Sequence, residues 1–315
     1  MSAPNAIQER LLGWYAAHRR DLPWRNTSDP YAILVAEIML QQTQVARVVP
    51  KYTRFLEQFP TWKALAEASP GTVIRAWEGL GYNRRAVRLQ ATARQVLERF
   101  GGHLPRNAHQ LEKLDGVGRY TAAAVACFAF GIPTPVVDTN VRRVLGRVLF
   151  GPRPVPERDI TSAARSLLDG LPNSSASSWA QALMDLGATV CTHVQPRCSI
   201  CPLRNSCVSA STFQQLQGKT VAESPASYRP RQTPFRDSSR YYRGRIIQHL
   251  RALPPGETIG LGALGTALRS DLTRDDLPWL RQMVAQLHQE GLVYLDEMES
   301  TVEPEEPDRV RVRLP

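Results

Sequence analysis

The stretch Leu114-Asp115-Gly116-Val117-Gly118-Arg119-Tyr120-Thr121-Ala122 decides how this chain is read. A leucine ends one helical pattern, an Ala-rich pattern follows, and Gly-x-Gly alone is left to make the turn. Glycine takes positive φ at no steric cost and lets a backbone approach a phosphate closely. The start of the second helix, at Tyr120 and Thr121, would offer unpaired N–H groups and a positive dipole end. A tight helix–helix turn without a ligand uses the same residues, so the flanks must separate the two readings. They favour an anion-binding hairpin.

Outward from the hairpin, residues 7–204 alternate helical patterns with Gly/Pro punctuation and show no alternating strand pattern. Helices are expected over Tyr31–Val49, Gly71–Leu80, Arg84–Phe100, His109–Leu114, Tyr120–Phe130, Val141–Leu149 and Ser178–Val190. This part is all-α, and the hairpin within it has the helix–hairpin–helix form that binds a DNA backbone without sequence preference. Gly116, Val117, Gly118, Arg119 and Thr121 are its expected contact residues. Composition shifts near Ser209 to Ser, Gln, Pro and Arg, the mark of a linker. The expected partition is 1–208, a linker over 209–239, and a second unit over 240–315. In that unit helices over Tyr242–Leu250, Ile259–Arg269 and Pro278–Glu290 precede strands at Val293–Leu295 and Val310–Leu314. Such an order is similar to a small α+β winged-helix domain, with an acidic run Glu297–Glu306 in its wing.

The 315 residues carry a net charge of +10. Such a balance suits a polyanionic partner. An arginine-rich genome composition is the competing explanation, since only Lys51, Lys63, Lys113 and Lys219 are lysines. No apolar run nears the ~20 residues that span a bilayer, and Met1–Arg10 is polar, so a soluble, intracellular (cytoplasmic) protein is expected, taken to act as a monomer.

Cys191, Cys198, Cys201 and Cys207 are spaced C-x6-C-x2-C-x5-C. Four thiolates so close can surround a metal centre, and an intracellular chain has little use for a disulfide knot. Structural zinc sites pair two short knuckles, and only one tight pair occurs here. A 4Fe–4S cubane takes one cysteine per iron corner and suits the uneven spacing better, with zinc as the competitor. His193 is expected at the surface or behind the ligands, and Cys127 in the core.

Two carboxylates complete the pattern. Asp29 and Pro30 start a helix whose continuation, Ile33-Leu34-Val35-Ala36-Glu37-Ile38-Met39-Leu40, holds one charge in an apolar run. A buried carboxylate is either partnered or neutral, and burial raises its pKa toward that of a usable proton donor. Asp138, before Thr139-Asn140-Val141, is a good helix N-cap that still presents a free oxygen. Cleaving an N-glycosidic bond requires protonating the base and stabilising an oxocarbenium-like sugar, tasks that unlike carboxylates divide.

From about Leu22 to Cys207, hairpin, Asp138 and cysteine spacing together resemble the helix–hairpin–helix DNA glycosylase superfamily. Endonuclease III-like members place a Schiff-base lysine where this chain has Tyr120, so the resemblance implies a monofunctional enzyme that uses water. Further, Ala36-Glu37-Ile38-Met39-Leu40-Gln41-Gln42-Thr43-Gln44-Val45 closely resembles the signature helix of adenine DNA glycosylases of the MutY type. Leu22-Pro23-Trp24-Arg25, Trp77-Glu78-Gly79-Leu80-Gly81-Tyr82 and Met184-Asp185-Leu186-Gly187-Ala188 share that likeness. It implies that Glu37 protonates a purine nitrogen while Asp138 stabilises the cation and handles water, with Tyr120 and Asn140 bonded around them. Gln42, Thr43 and Tyr82 would enter the stack of double-stranded DNA while adenine is flipped. Trp24, Arg25 and Gln181 would line the base pocket. The implied reaction is adenine excision opposite 8-oxoguanine or guanine. Rivals are excision of T or U opposite G, and a non-catalytic DNA-binding protein. Two features depart from the family: Tyr82 is followed by Asn83, and the tail lacks the usual β-rich, pyrophosphohydrolase-like pattern.

Overall fold

The computed structural model describes residues 4–215, 235–236, 238–297 and 310–315. Most of the expected linker (216–234 and 237) and nearly all of the acidic run (298–306) lie outside the described residues. In chain order the helices are α1 (Pro4–His18), α2 (Pro30–Leu40), α3 (Val45–Gln58), α4 (Trp62–Glu67), α5 (Pro70–Ala76) and α6 (Arg84–Phe100). There follow α7 (Ala108–Leu111), α8 (Arg119–Phe130), α9 (Thr139–Leu145), α10 (Glu157–Ser166), α11 (Ala176–Thr189) and α12 (Ala210–Gln215). The C-terminal elements are α13 (Ser239–Ala252), β1 (Ile259–Gly260), α14 (Leu261–Leu268), α15 (Leu277–Gln289), β2 (Tyr294–Glu297) and β3 (Val310–Arg313).

The helical reading holds through α12, with corrections at the ends of elements. The single helix expected over Tyr31–Val49 is two, α2 and α3, because Gln42 adopts φ 55 and turns the chain. The pattern over Val141–Leu149 leaves α-helical geometry at Leu145 and continues as a wider turn over Gly146–Phe150. His109–Leu114 shrinks to the single turn α7.

Contacts divide the chain into two compact units, each discontinuous in sequence. One takes the described residues of Met1–Glu37 and Leu104–Tyr228, the other those of Ile38–His103 and Arg229–Pro315. Each unit thus draws on two separated stretches of the chain. In the first unit α1, α9 and α11 close on Leu11, Val144, Trp179 and Leu183, all buried. In the second, α13, α14 and α15 bury Ile246, Leu264, Leu280 and Val312 in one core that also takes Ile74 of α5. Arg75 donates to the carbonyls of Arg251 and Leu253, and Arg251 returns a bond to Ile74 O at 2.7 Å. These contacts carry the C-terminal elements into the same unit as α3–α6. Strands β1, β3 and β2 form an antiparallel sheet in that order, with Leu295 and Ile259 both paired to Val312. Strand β1, two residues long, is too short to leave an alternation in sequence. With it, the helix–strand–helix–helix–hairpin order is that of a winged helix.

Candidate active site

In the first unit, Gly116 turns the hairpin at φ 76 and Val117 N–H closes it on Leu114 O at 3.1 Å. Gly118 sits at an ordinary negative φ as the N-cap of α8, with no side-chain cap. A Cβ there would meet nothing within 4 Å. Glycine is thus required by conformation at 116, whereas at 118 the backbone is simply open. No side chain caps the first turn of α8, and a helix N-terminus of this kind is the arrangement that anion binding uses. Lys113 lies on the exposed face before the hairpin.

Tyr120, on that first turn, hydrogen-bonds Glu37 of α2. Glu37 is 5% exposed, and burial, with the nearby Asp138 charge adding to it, raises its pKa to about 7; Tyr120 and Arg25 oppose the rise. The carboxyl is therefore protonated for a large part of the time near neutrality, the state a general acid requires. Asp138 caps α9 by accepting from Val141 N–H at 2.7 Å. Its other oxygen accepts from Asn140 Nδ2 at 2.8 Å. Glu37, Tyr120 and the neighbouring pair Asp138 and Asn140, drawn from three separate stretches of sequence, thus belong to one cluster holding two carboxyls of unlike environment.

The expected base-pocket residues are placed as follows. Trp24 is buried. Arg25 forms a bidentate pair with Asp185 at 2.6 and 2.8 Å, to which Arg20 adds a bond at 2.6 Å. These guanidinium partners outweigh the burial of Asp185 and hold its carboxyl below the usual range. Gln181 accepts from the Tyr15 hydroxyl at 2.6 Å.

Arg143 was not singled out by the sequence, yet it organises this region. It donates to Asn140 Oδ1 at 2.8 Å, to Gly187 O at 2.7 Å and to Cys191 O at 2.8 Å. One turn further, the buried Arg147 donates to Thr192 O at 2.7 Å and His193 O at 3.0 Å, and lies 3.5 Å from Cys191 Sγ. Its signal was present: one charge in the apolar run Val144-Leu145-Gly146-Arg147-Val148-Leu149, the same pattern that points to Glu37. Cys191, Cys198, Cys201 and Cys207 all line one small cavity of about 20 Å³. Among the described residues no three His, Cys, Asp or Glu side chains form a group that could hold a metal ion. Zinc binds at Zn–S of about 2.3 Å and needs its thiolates drawn together around one ion. The fold brings the four thiols to one cavity, so these are the residues that would hold a thiolate-bound group. His193 is exposed, and Cys127 is fully buried with its thiol pushed up to about 12 by burial.

In the second unit, among the described residues other than glycine, positive φ occurs only at Gln42 (55) and Tyr82 (45). Such backbone costs on the order of 1–3 kcal/mol and persists where its surroundings over-determine it. Arg85, also missed in the sequence, does this. Its guanidinium donates to the carbonyls of Ile38, Met39 and Gln41 at 2.7, 3.0 and 2.6 Å. It also reaches Thr43 Oγ1, Leu80 O and Gly81 O at 3.0, 2.9 and 3.1 Å. Both turns are thereby clamped by one side chain, leaving Gln42 exposed and Tyr82 54% exposed. Thr43 is turned inward, donating to Leu80 O at 3.2 Å.

Residues 35–168 match the model of the HhH-GPD superfamily base excision DNA repair proteins. The chain is 43% identical over 244 residues to an adenine DNA glycosylase of Mycolicibacterium smegmatis, covering 76% of this chain and 79% of that protein. It is 44% identical over 225 residues to the Homo sapiens adenine DNA glycosylase, covering 67% of this chain and 41% of the human protein. The solved structure of a thermostable thymine-DNA glycosylase superposes with a TM-score of 0.62 at 31% identity, over 66% of this chain and 97% of that one. Buried acid, capped aspartate and hairpin thus coincide with extended sequence similarity, and the chain belongs to the adenine DNA glycosylases of the HhH-GPD superfamily.

Proposed function

We propose that this chain is a monofunctional glycosylase that hydrolyses the N-glycosidic bond of adenine mispaired with 8-oxoguanine or guanine in double-stranded DNA. The observation that carries the reading is Glu37, buried and poised near pH 7 beside Tyr120 and Asp138. Adenine is a poor leaving group until a ring nitrogen is protonated, and a neutral buried carboxyl supplies that proton. Asp138, held by the α9 N-terminus and Asn140, faces the developing sugar cation and positions the attacking water. Tyr120 carries no amine, so the sugar forms no imine and the strand is left uncut. The hairpin 116–121 holds the backbone, Gln42 and Tyr82 enter the stack while Thr43 ties the turn beneath them to Leu80 and Arg85, and Trp24, Arg25 and Gln181 border the flipped base.

Cys191, Cys198, Cys201 and Cys207 would hold a 4Fe–4S cluster, a structural support for the loop 191–207. Residues 1–208 form the glycosylase domain and 240–315 an appended module. The protein acts as a monomer on DNA in the cytoplasm.

Release of free base from duplexes containing A:8-oxoG, A:G, T:G and U:G tests this. The similarity to a thymine-DNA glycosylase supports pyrimidine excision as a second reading. Release from the A-containing duplexes is expected. Activity on T:G or U:G alone would overturn the adenine assignment, and none on any duplex would favour a non-catalytic DNA-binding protein.

A further inference from the structure

Within the second unit, a cleft of about 630 Å³ runs between the turns that carry Gln42 and Tyr82 and the first helix of the C-terminal module. Arg47 of α3, Arg84 and Arg88 of α6, and Arg240 and Arg243 of α13 line it. Arg243 is neutralised by Glu290 at 2.6 Å. Arg47, Arg84, Arg88 and Arg240 are exposed and have no carboxylate partner among the described residues. At its mouth stand two exposed rings, Tyr82 at 54% and Phe235 at 62%. An adjoining cleft shares Arg47, Gly81, Asn83 and Phe235 and adds Arg245 and His249 of α13.

We propose that this cleft binds the phosphodiester backbone of a DNA strand, and that the C-terminal module engages DNA through α13 rather than through α15. Separate cations spread over three helices suit a chain of phosphates better than one compact anion. Exposed rings beside a basic track are the arrangement on which unstacked bases rest. The outward face of α15 is by contrast mostly uncharged, with Gln282, Gln286 and Gln289 beside Arg281, and its approach carries Asp275 and Asp276. The inference rests on the DNA-acting reading above and gives the appended module a place in it.

The test is the salt dependence of affinity for a short undamaged duplex, which loses no base and so reports binding whether or not adenine is the substrate. Arg88→Ala and Arg240→Ala, made separately, should each reduce the log–log slope by about 0.9 and weaken binding about eightfold at 0.1 M salt. Arg240→Lys should restore the slope, because a lysine neutralises a phosphate equally; this separates lost contact from lost folding. An unchanged slope in Arg240→Ala overturns the proposal. So does a loss of slope in Arg281→Ala with none in Arg240→Ala.

Discussion

Replacing Gly187 by alanine should cripple catalysis without touching any group that meets the substrate. A Cβ at position 187 would lie 2.6 Å from Asn140 Cβ, 3.1 Å from its Cα and 3.2 Å from its carbonyl oxygen. Carbon atoms in contact prefer about 3.5–4.0 Å, so the overlap is about 1 Å. The obstructing atoms are backbone and Cβ, which no rotamer change moves, and α9 must shift away from α11. Asn140 and Asp138 sit at the N-terminal end of that helix and move with it. Arg143, bonded to both Asn140 and Gly187 O, spreads the strain toward Cys191. Overpacking of this kind costs about 1–3 kcal/mol, and a 1 Å misplacement of a catalytic group costs on the order of 100-fold in rate. Single-turnover adenine release should therefore fall by about two orders of magnitude, with a melting temperature only several degrees lower and duplex binding retained. Ala188→Ser, at an exposed position on the same helix, serves as the control. A Gly187→Ala enzyme with the wild-type single-turnover rate would refute the argument that helix packing fixes Asp138.

Three further outcomes follow from buried charges. Glu37 keeps its proton in the folded state up to about pH 7 but releases it near 4.5 when unfolded, so the native state binds more protons between those values. Its contribution to stability is thus full at acid pH and is lost as pH rises through about 7. Glu37→Gln should abolish adenine release yet be more stable than wild type above pH 7, by about 3 kcal/mol at most. Equal stability of the two across that range would show that the carboxyl is not desolvated, and wild-type release should itself decline as pH rises through the same region. Arg85→Lys keeps the charge but offers three donors where the guanidinium makes six bonds, so several carbonyls lose partners at about 1 kcal/mol each. Faster hydrogen exchange at 41–44 and 79–83 with weaker duplex binding is expected, and unchanged exchange would show the clamp to be dispensable. Arg147→Met removes the donor to Thr192 O and His193 O; on the proposal that the four cysteines hold a cluster, lower iron content per chain and earlier melting should result, and full iron content would separate Arg147 from the cysteine loop.

How much of this was legible in the sequence depends on the range of the interaction. Glu37 stood out because a single charge in an apolar helix must be explained wherever the helix goes. Asp138 stood out through a local rule, since the cap and its acceptor bond lie within three residues. The cysteines were found by spacing alone. Arg147, one charge in an apolar run, gives the same signal as Glu37. Arg85 gave none, because its carbonyl partners come from two turns some forty residues apart and carry no side-chain identity. The break between α2 and α3 escaped for a related reason: a positive φ at a glutamine is imposed by neighbours, and the apolar periodicity continues across it. Strand β1 is defined only by its pairing with β3.

The sequence by itself determined the helical class, the hairpin and the order of the helices and last two strands in the C-terminal module, and it marked the two carboxylates and the four-cysteine loop as candidates. Each follows from periodicity, capping or spacing, which act over a few residues. Tertiary structure alone decided that the C-terminal module shares a unit with α3–α6, that one arginine holds both strained turns, and that Gly187 leaves room for Asn140. Those facts depend on which surfaces meet after the chain has closed on itself, where burial and hydrogen-bond satisfaction act between residues that the sequence keeps far apart.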